Sequence, residues 1–156
     1  MSSSKPFPVY IELKAVVEAV SHALEGFPSE VIGFLVGMPY EWGGETYVYI
    51  TATLRGKAVA SETHVEFADD SLGEVVQSLR ENHPDSVLVG WYHSHPGYGC
   101  FLSPTDLASH VSCFTMPYHV AMVVDPVKRE MAFFRVRSIS EYEQICSAVV
   151  RRKVHG

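Results

Sequence analysis

Trp91-Tyr92-His93-Ser94-His95-Pro96-Gly97-Tyr98-Gly99-Cys100-Phe101-Leu102-Ser103-Pro104-Thr105-Asp106 is the stretch from which the rest of the chain is read. His93 and His95 stand one residue apart. Val87, Val89 and Trp91 share their parity, and side chains two apart on a strand point to one face. The spacing therefore predicts a strand over 86–91 that delivers both imidazoles to the buried side, at or just past its end.

Zinc takes nitrogen, oxygen or thiolate ligands in a tetrahedron, and a catalytic zinc keeps three protein ligands with the fourth position open. His93, His95 and Asp106 would supply such a set, and imidazole favours zinc over magnesium or calcium. Each piece also has a plainer reading. A lone His-x-His on a strand is more often structural. Ser103-Pro104-Thr105-Asp106 reads equally as a helix start, with serine at the N-cap, proline at the first helical position and an acid three residues on. Asp106 could cap, ligate or do both. Pro96, Gly97 and Gly99 make a low-bulk turn able to return Asp106 towards the histidines.

Outward from that stretch, the composition is that of an ordered single domain. The chain has 156 residues, 47% of them hydrophobic and 19% charged, with a formal net charge of -6 and no Lys/Arg stripe. That argues against disorder and against nucleic acid as the main partner. Three cysteines without a Cys-x-x-Cys pair suit a reducing compartment. No apolar run reaches the ~20 residues of a membrane span. A soluble, cytoplasmic protein is expected, with residues 1–8 a flexible leader and 9–156 one domain.

In chain order, Leu13, Val16, Val17, Val20 and Leu24 predict an amphipathic helix over 11–24 that buries these residues. Val31 to Gly37 reads as a buried strand with Glu30 at its head, and Thr46 to Leu54 as its hairpin partner. Arg55 to Glu66 is a loop or short hairpin. Leu72, Val75, Val76 and Leu79 predict a helix ended by Pro84. A helix opening at Ser103 places Leu107, Val111 and Phe114 on one side. Strands follow over 118–124 and 130–136, then a last helix over 138–153 with Tyr142, Ile145 and Val149 inward. The fold class is α+β (mixed α/β): helices on a curved mixed sheet.

His93-Ser94-His95-Pro96 followed by Ser103-x-x-Asp106 resembles the motif of the JAMM (MPN-plus) metalloproteases. Gly90 to Cys100 is similar to the branch of that family found in the proteasome lid and the signalosome. Glu30 to Gly37 is similar to the family's glutamate segment, and the likeness extends over roughly residues 8–136. The resemblance implies the MPN/JAMM fold and one Zn2+ per chain, held by His93, His95 and Asp106. It implies Glu30 as the general acid/base and Ser103 as an oxyanion donor. Without it Glu30 has little to mark it, since Glu41, Glu45, Glu62 and Glu66 compete. It further implies a deubiquitinase-like isopeptidase acting at the C-terminal glycines of ubiquitin or ubiquitin-like conjugates, with a proteasome as a candidate partner. The modifier's tail would pair with the segment 55–66, next to Val65, and Phe101 would line the groove.

Competing readings are a non-catalytic MPN scaffold module and a family member acting on sulfur-carrier proteins. A zinc deaminase would need a Pro-Cys-x-x-Cys segment, which is absent. Cys100 has no basic neighbour in sequence and reads as packing, not nucleophile. His22, His64, His83, His110, His119 and His155 lack ligand spacing.

Overall fold

The computed structural model describes residues 5–60, 65–67 and 71–152, with side chains described outside 58–72. In chain order the elements are β1 (Val9–Glu12), α1 (Leu13–Gly26), β2 (Ile32–Trp42), β3 (Glu45–Arg55), β4 (Ala58–Ala60) and β5 (Val65–Phe67). Then come α2 (Ser71–Asn82), β6 (Val87–Ser94), α3 (Pro104–Cys113), β7 (Val120–Asp125), β8 (Glu130–Ser138), β9 (Glu141–Ile145) and β10 (Ser147–Val150). Eight strands form one mixed sheet in the order β10-β1-β3-β2-β6-β7-β8-β9, and β4 and β5 form a separate hairpin. This is the expected mixture of helices on a mixed sheet.

The sheet curls. β9 and β10 occupy its opposite edges, yet only Cys146 separates them in the chain. One linking residue spans at most ~7 Å between the flanking Cα atoms, so the two edges must approach each other. Ile145 from one edge and Val9 and Ile11 from the other accordingly meet in one apolar cluster, together with α1. A second cluster fills the other face, where Val75, Leu107 and Phe114 pack on Phe34, Trp91, Val123 and Phe134.

Three expectations are corrected. The helix predicted over 138–153 is replaced by β9, antiparallel to β8, and β10, parallel to β1. Tyr142, Ile145 and Val149 fit a helical period. However, each sheet edge offers a full row of unpaired backbone groups, and non-local pairing overrides a weak local preference. The helix over 11–24 starts two residues later, after the short strand β1. Its buried stripe is Ala15, Ala19 and Ala23, while Leu13, Val17 and Leu24 are exposed. Small side chains let the helix lie close to the sheet, which pushes the larger apolar residues to its flanks. On α3 the inward residues are Asp106, Leu107 and His110, with Val111 exposed.

β6 also breaks its own alternation. Leu35 pairs with Gly90 but Val36 pairs with Leu88, so Val89 is an extra, unpaired residue. Such a bulge resets which side chains face which side. Val89 belongs to the α1 cluster, whereas Trp91 belongs to the opposite one. The shared parity of Val87, Val89 and His93 is therefore misleading. His93 takes its face from Trp91.

Candidate metal centre

β6 runs against β7 in parallel register, from Gly90 beside Val120 to Ser94 beside Val124. Gly90 is required there, because a Cβ would collide with the Val120 carbonyl. The close approach continues past the strand, where the His95 N–H donates to the Val124 carbonyl at 2.9 Å. His93 and His95 thus leave one rigid strand end, both buried, with 0% and 3% of their surface exposed.

α3 approaches from the side. Ser103 caps it by accepting the Asp106 N–H at 3.2 Å, and Asp106 Oδ2 accepts the Ser103 N–H at 2.8 Å. The same Oδ2 lies 3.0 Å from His93 Nε2 and 3.4 Å from His95 Nε2. Asp106 therefore both caps its helix and faces the imidazoles. The two Nε2 atoms are 2.9 Å apart. Burial opposes ionisation of Asp106, but the hydrogen bonds of His93 and His95 outweigh it and hold the carboxyl far below the usual range. Burial likewise works against a charged His95, yet the hydrogen bond and charge of Asp106, then the charge of Glu30, raise its pKa.

Three lone-pair atoms at mutual distances of 2.9, 3.0 and 3.4 Å form a nearly regular triangle. The face of a tetrahedron with ~2.0–2.1 Å bonds has edges of roughly 3.3–3.4 Å. Two imidazoles and a carboxylate are also the donor set that zinc takes. The residues present thus fit a zinc ion with little adjustment. Glu30 Oε1 is 3.7 Å from His95 Nε2, and Glu30, His93 and His95 each offer an atom within 4.8 Å of the others. Asp106 Oδ2 lies nearer His95 Nε2 than Glu30 Oε1 does, at 3.4 Å against 3.7 Å. Glu30 stands beside the triangle.

Residues outside the candidate ligand set hold this arrangement in place. Ser94, between the histidines, points to the other face; its Oγ accepts the Val31 N–H at 2.8 Å and its N–H donates to the Val31 carbonyl at 3.1 Å. That clamp sets the backbone next to Glu30. Strand alternation alone could have flagged it. The His93 ring stacks on Trp91, with centroids 4.8 Å apart and planes 14° from parallel. The Trp91 Nε1–H donates to His110 Nδ1 at 3.0 Å, one helical turn beyond Asp106 on α3. Among the described residues His93 Nδ1 is buried without a hydrogen-bond partner, so stacking orients this ring. His95 Nδ1 instead faces the Gly99 carbonyl at 3.2 Å, and Asp125 binds the N–H groups of Gly97 and Gly99. In sequence Asp125-Pro126 reads only as a turn.

Among the remaining candidates, Phe101 is 43% exposed with its ring 4.7 Å from that of His95, at the mouth of the site. Val65 opens β5, but its side chain lies outside the described residues, as do His64 and His155. The segment 55–66 does contain a hairpin, with Ala60 opposite Val65. Burial, then the charges of Glu130 and Asp125, push the Cys100 thiol up to about 11. His22 Nδ1 and the Tyr92 hydroxyl are 2.7 Å apart, and His119 Nε2 contacts the Leu88 carbonyl at 3.1 Å.

Residues 5–117 match the family model described as JAB1/Mov34/MPN/PAD-1 ubiquitin protease. The chain belongs to this family. Within the JAB1/Mov34/MPN/PAD-1 family, similar proteins include the ubiquitin carboxyl-terminal hydrolase RPN11 of Saccharomyces cerevisiae. It is 33% identical over 122 residues, which cover 77% of this chain and 39% of RPN11. COP9 signalosome complex subunit 5 of Neurospora crassa is 39% identical over 124 residues, covering 76% of this chain and 35% of that protein. The chain thus spans about two fifths of the length of such relatives. A solution structure of a protein from Desulfitobacterium hafniense shares the fold, with a TM-score of 0.67, 18% identity and 94% of each chain covered. The resemblance drawn from the histidine motif is borne out by the family match.

Proposed function

We propose that this chain is a zinc-dependent isopeptidase or peptidase that cleaves behind the C-terminal glycines of ubiquitin or a ubiquitin-like modifier. The observation that carries the reading is the buried triangle of His93 Nε2, His95 Nε2 and Asp106 Oδ2 with Glu30 at its side. His93, His95 and Asp106 would hold one zinc. Bound there, zinc would lower the pKa of a water towards ~7 and polarise the scissile carbonyl.

Glu30 carries the proton from the attacking water to the leaving amine, since a carboxylate at that edge of the site is within reach of both. Ser103 has a second role. Its Oγ accepts the Asp106 N–H, which leaves its own hydroxyl proton to be donated to the developing oxyanion. Phe101, exposed beside His95, flanks the path of the substrate. The β4–β5 hairpin presents an edge to which an extended tail can add as a strand.

Residues 9–156 act as one catalytic domain. The Saccharomyces cerevisiae relative is named a ubiquitin carboxyl-terminal hydrolase, a Candida glabrata relative a 26S proteasome regulatory subunit and the Neurospora crassa relative a COP9 signalosome subunit, which supports conjugates of ubiquitin-like modifiers as substrates and a proteasome as partner. No helix among the described residues is long and apolar enough to cross a membrane, which is compatible with a cytoplasmic setting. The test is incubation with ubiquitin and ubiquitin-like fusions bearing a C-terminal tail, with and without chelator. Chelator-sensitive release of the tail is expected. No release, together with less than stoichiometric zinc, would favour a scaffold module.

A further inference from the structure

His95 is oriented through a relay that ends on a residue outside the motif. Asp125 closes β7 and is fully buried. Its Oδ1 accepts the N–H groups of Val127 and Lys128, both at 3.0 Å, which makes a local turn. Its other bonds reach across to the segment after the histidines. Gly97 donates to Oδ1 at 2.9 Å and Gly99 to Oδ2 at 2.8 Å. Both glycines have positive φ, +87° and +84°, a conformation that turns their N–H groups onto one acceptor. These four N–H bonds hold the carboxyl below its usual range although burial opposes it. The carbonyl of the same Gly99 faces His95 Nδ1 at 3.2 Å.

We propose that Asp125 is a positioning residue that, through Gly99, fixes the tautomer and orientation of His95; the inference rests on the reading of His95 as a metal ligand. An imidazole that donates from Nδ1 presents a lone pair at Nε2, and such outer partners govern how well the ligand binds. The Gly99 carbonyl sits in a segment with two positive-φ glycines, the most permissive backbone there is. Next to it, Tyr98 is 59% exposed. Packing therefore does little to hold that carbonyl. The bond from Gly99 N–H to Asp125 keeps it in line with His95.

Asp125→Asn isolates this arm. The amide oxygen retains Gly97, Val127 and Lys128, while the amide nitrogen faces the Gly99 N–H, donor against donor. We expect the variant to keep its far-UV spectrum and to lose roughly tenfold or more in zinc affinity, measured by chelator competition. The loss of hydrolysis should fall on kcat rather than KM. Long-range 15N–1H correlation on metal-free protein should show a slowly exchanging His95 Nδ1 proton in the wild type and a rapidly exchanging one in the variant. A variant that melts earlier but keeps zinc affinity within twofold and the slowly exchanging Nδ1 proton would overturn the proposal. If the wild type binds no zinc, the metal reading fails, while exchange of the His95 Nδ1 proton still tests Asp125. Should the variant not fold, hydrogen exchange of the wild type decides. Gly97 and Gly99 amides slowed well below open-loop rates support the relay, and open-loop exchange refutes it.

Discussion

Ser103 is assigned two jobs, and substitution separates them by magnitude. Its Oγ accepts the Asp106 N–H at 3.2 Å within a capping box, with Pro104 following. Removing an N-cap hydroxyl as Ser103→Ala costs about 1 kcal/mol. For a domain of this length that lowers Tm by roughly 2–4 °C. Against a total stability of ~5–15 kcal/mol, about 99% or more of the molecules stay folded at 25 °C. Loss of the cap alone therefore leaves the rate almost unchanged. Loss of an oxyanion donor lowers kcat by ~10²–10³, or ~2.7–4 kcal/mol. Ser103→Gly sharpens the contrast, because glycine is a tolerable N-cap and costs only a few tenths of a kcal/mol. We expect Ser103→Gly to melt almost like the wild type and to lose as much kcat as Ser103→Ala. Ser103→Thr should retain both properties. The assay is steady-state cleavage of a tailed modifier fusion at 25 °C alongside thermal melts. If Ser103→Gly cleaves within threefold of the wild-type rate, Ser103 is a cap and nothing more.

Glu30→Gln should keep the fold and zinc content and lose ~10²–10⁴-fold in kcat, the usual share of a general acid/base; wild-type turnover would refute that role. Zinc chelators should abolish activity while iodoacetamide leaves it intact, because the Cys100 thiol is pushed up to about 11 and holds almost no thiolate at pH 7. Full inactivation by the alkylating agent would point to Cys100 instead. His110 is buried, and burial, then the charge of His119, pushes its pKa down to about 4. The unfolded chain, with histidine near ~6.5, binds more protons between those values, so stability falls as pH drops from ~6.5 to ~4, by at most roughly 3 kcal/mol. His110→Gln should flatten that part of the urea-unfolding profile relative to the wild type. An unchanged slope would mean that His110 does not titrate in this way.

Much of the site was legible because its chemistry is local. His-x-His on one strand end and Ser-x-x-Asp at one helix start need only the periods of strand and helix to be placed. The Ser103 cap and Asp106 are found in the predicted positions. Glu30 was legible only by likeness to a family, since it lies 63 positions before His93 and no period links them. The bond between Ser94 and Val31 supplies that link in space. The histidines are buried as the pattern predicts, but the side taken by Val87 and Val89 was not legible, because a bulge at Val89 depends on the pairing partner and leaves no mark in the strand itself.

The sequence by itself determined the donor types, the helix cap that carries Asp106 and the strand that carries the histidines. These follow from dihedral preference and side-chain chemistry over a few residues. Tertiary structure alone decided that 141–145 and 147–150 are strands rather than part of a helix, because the open edges of β8 and β1 compete successfully for their backbone. It alone brought His110 to Trp91 and tied Asp125 to Gly99. Those contacts join residues whose approach is set by the packing of the whole sheet, so no local pattern records them.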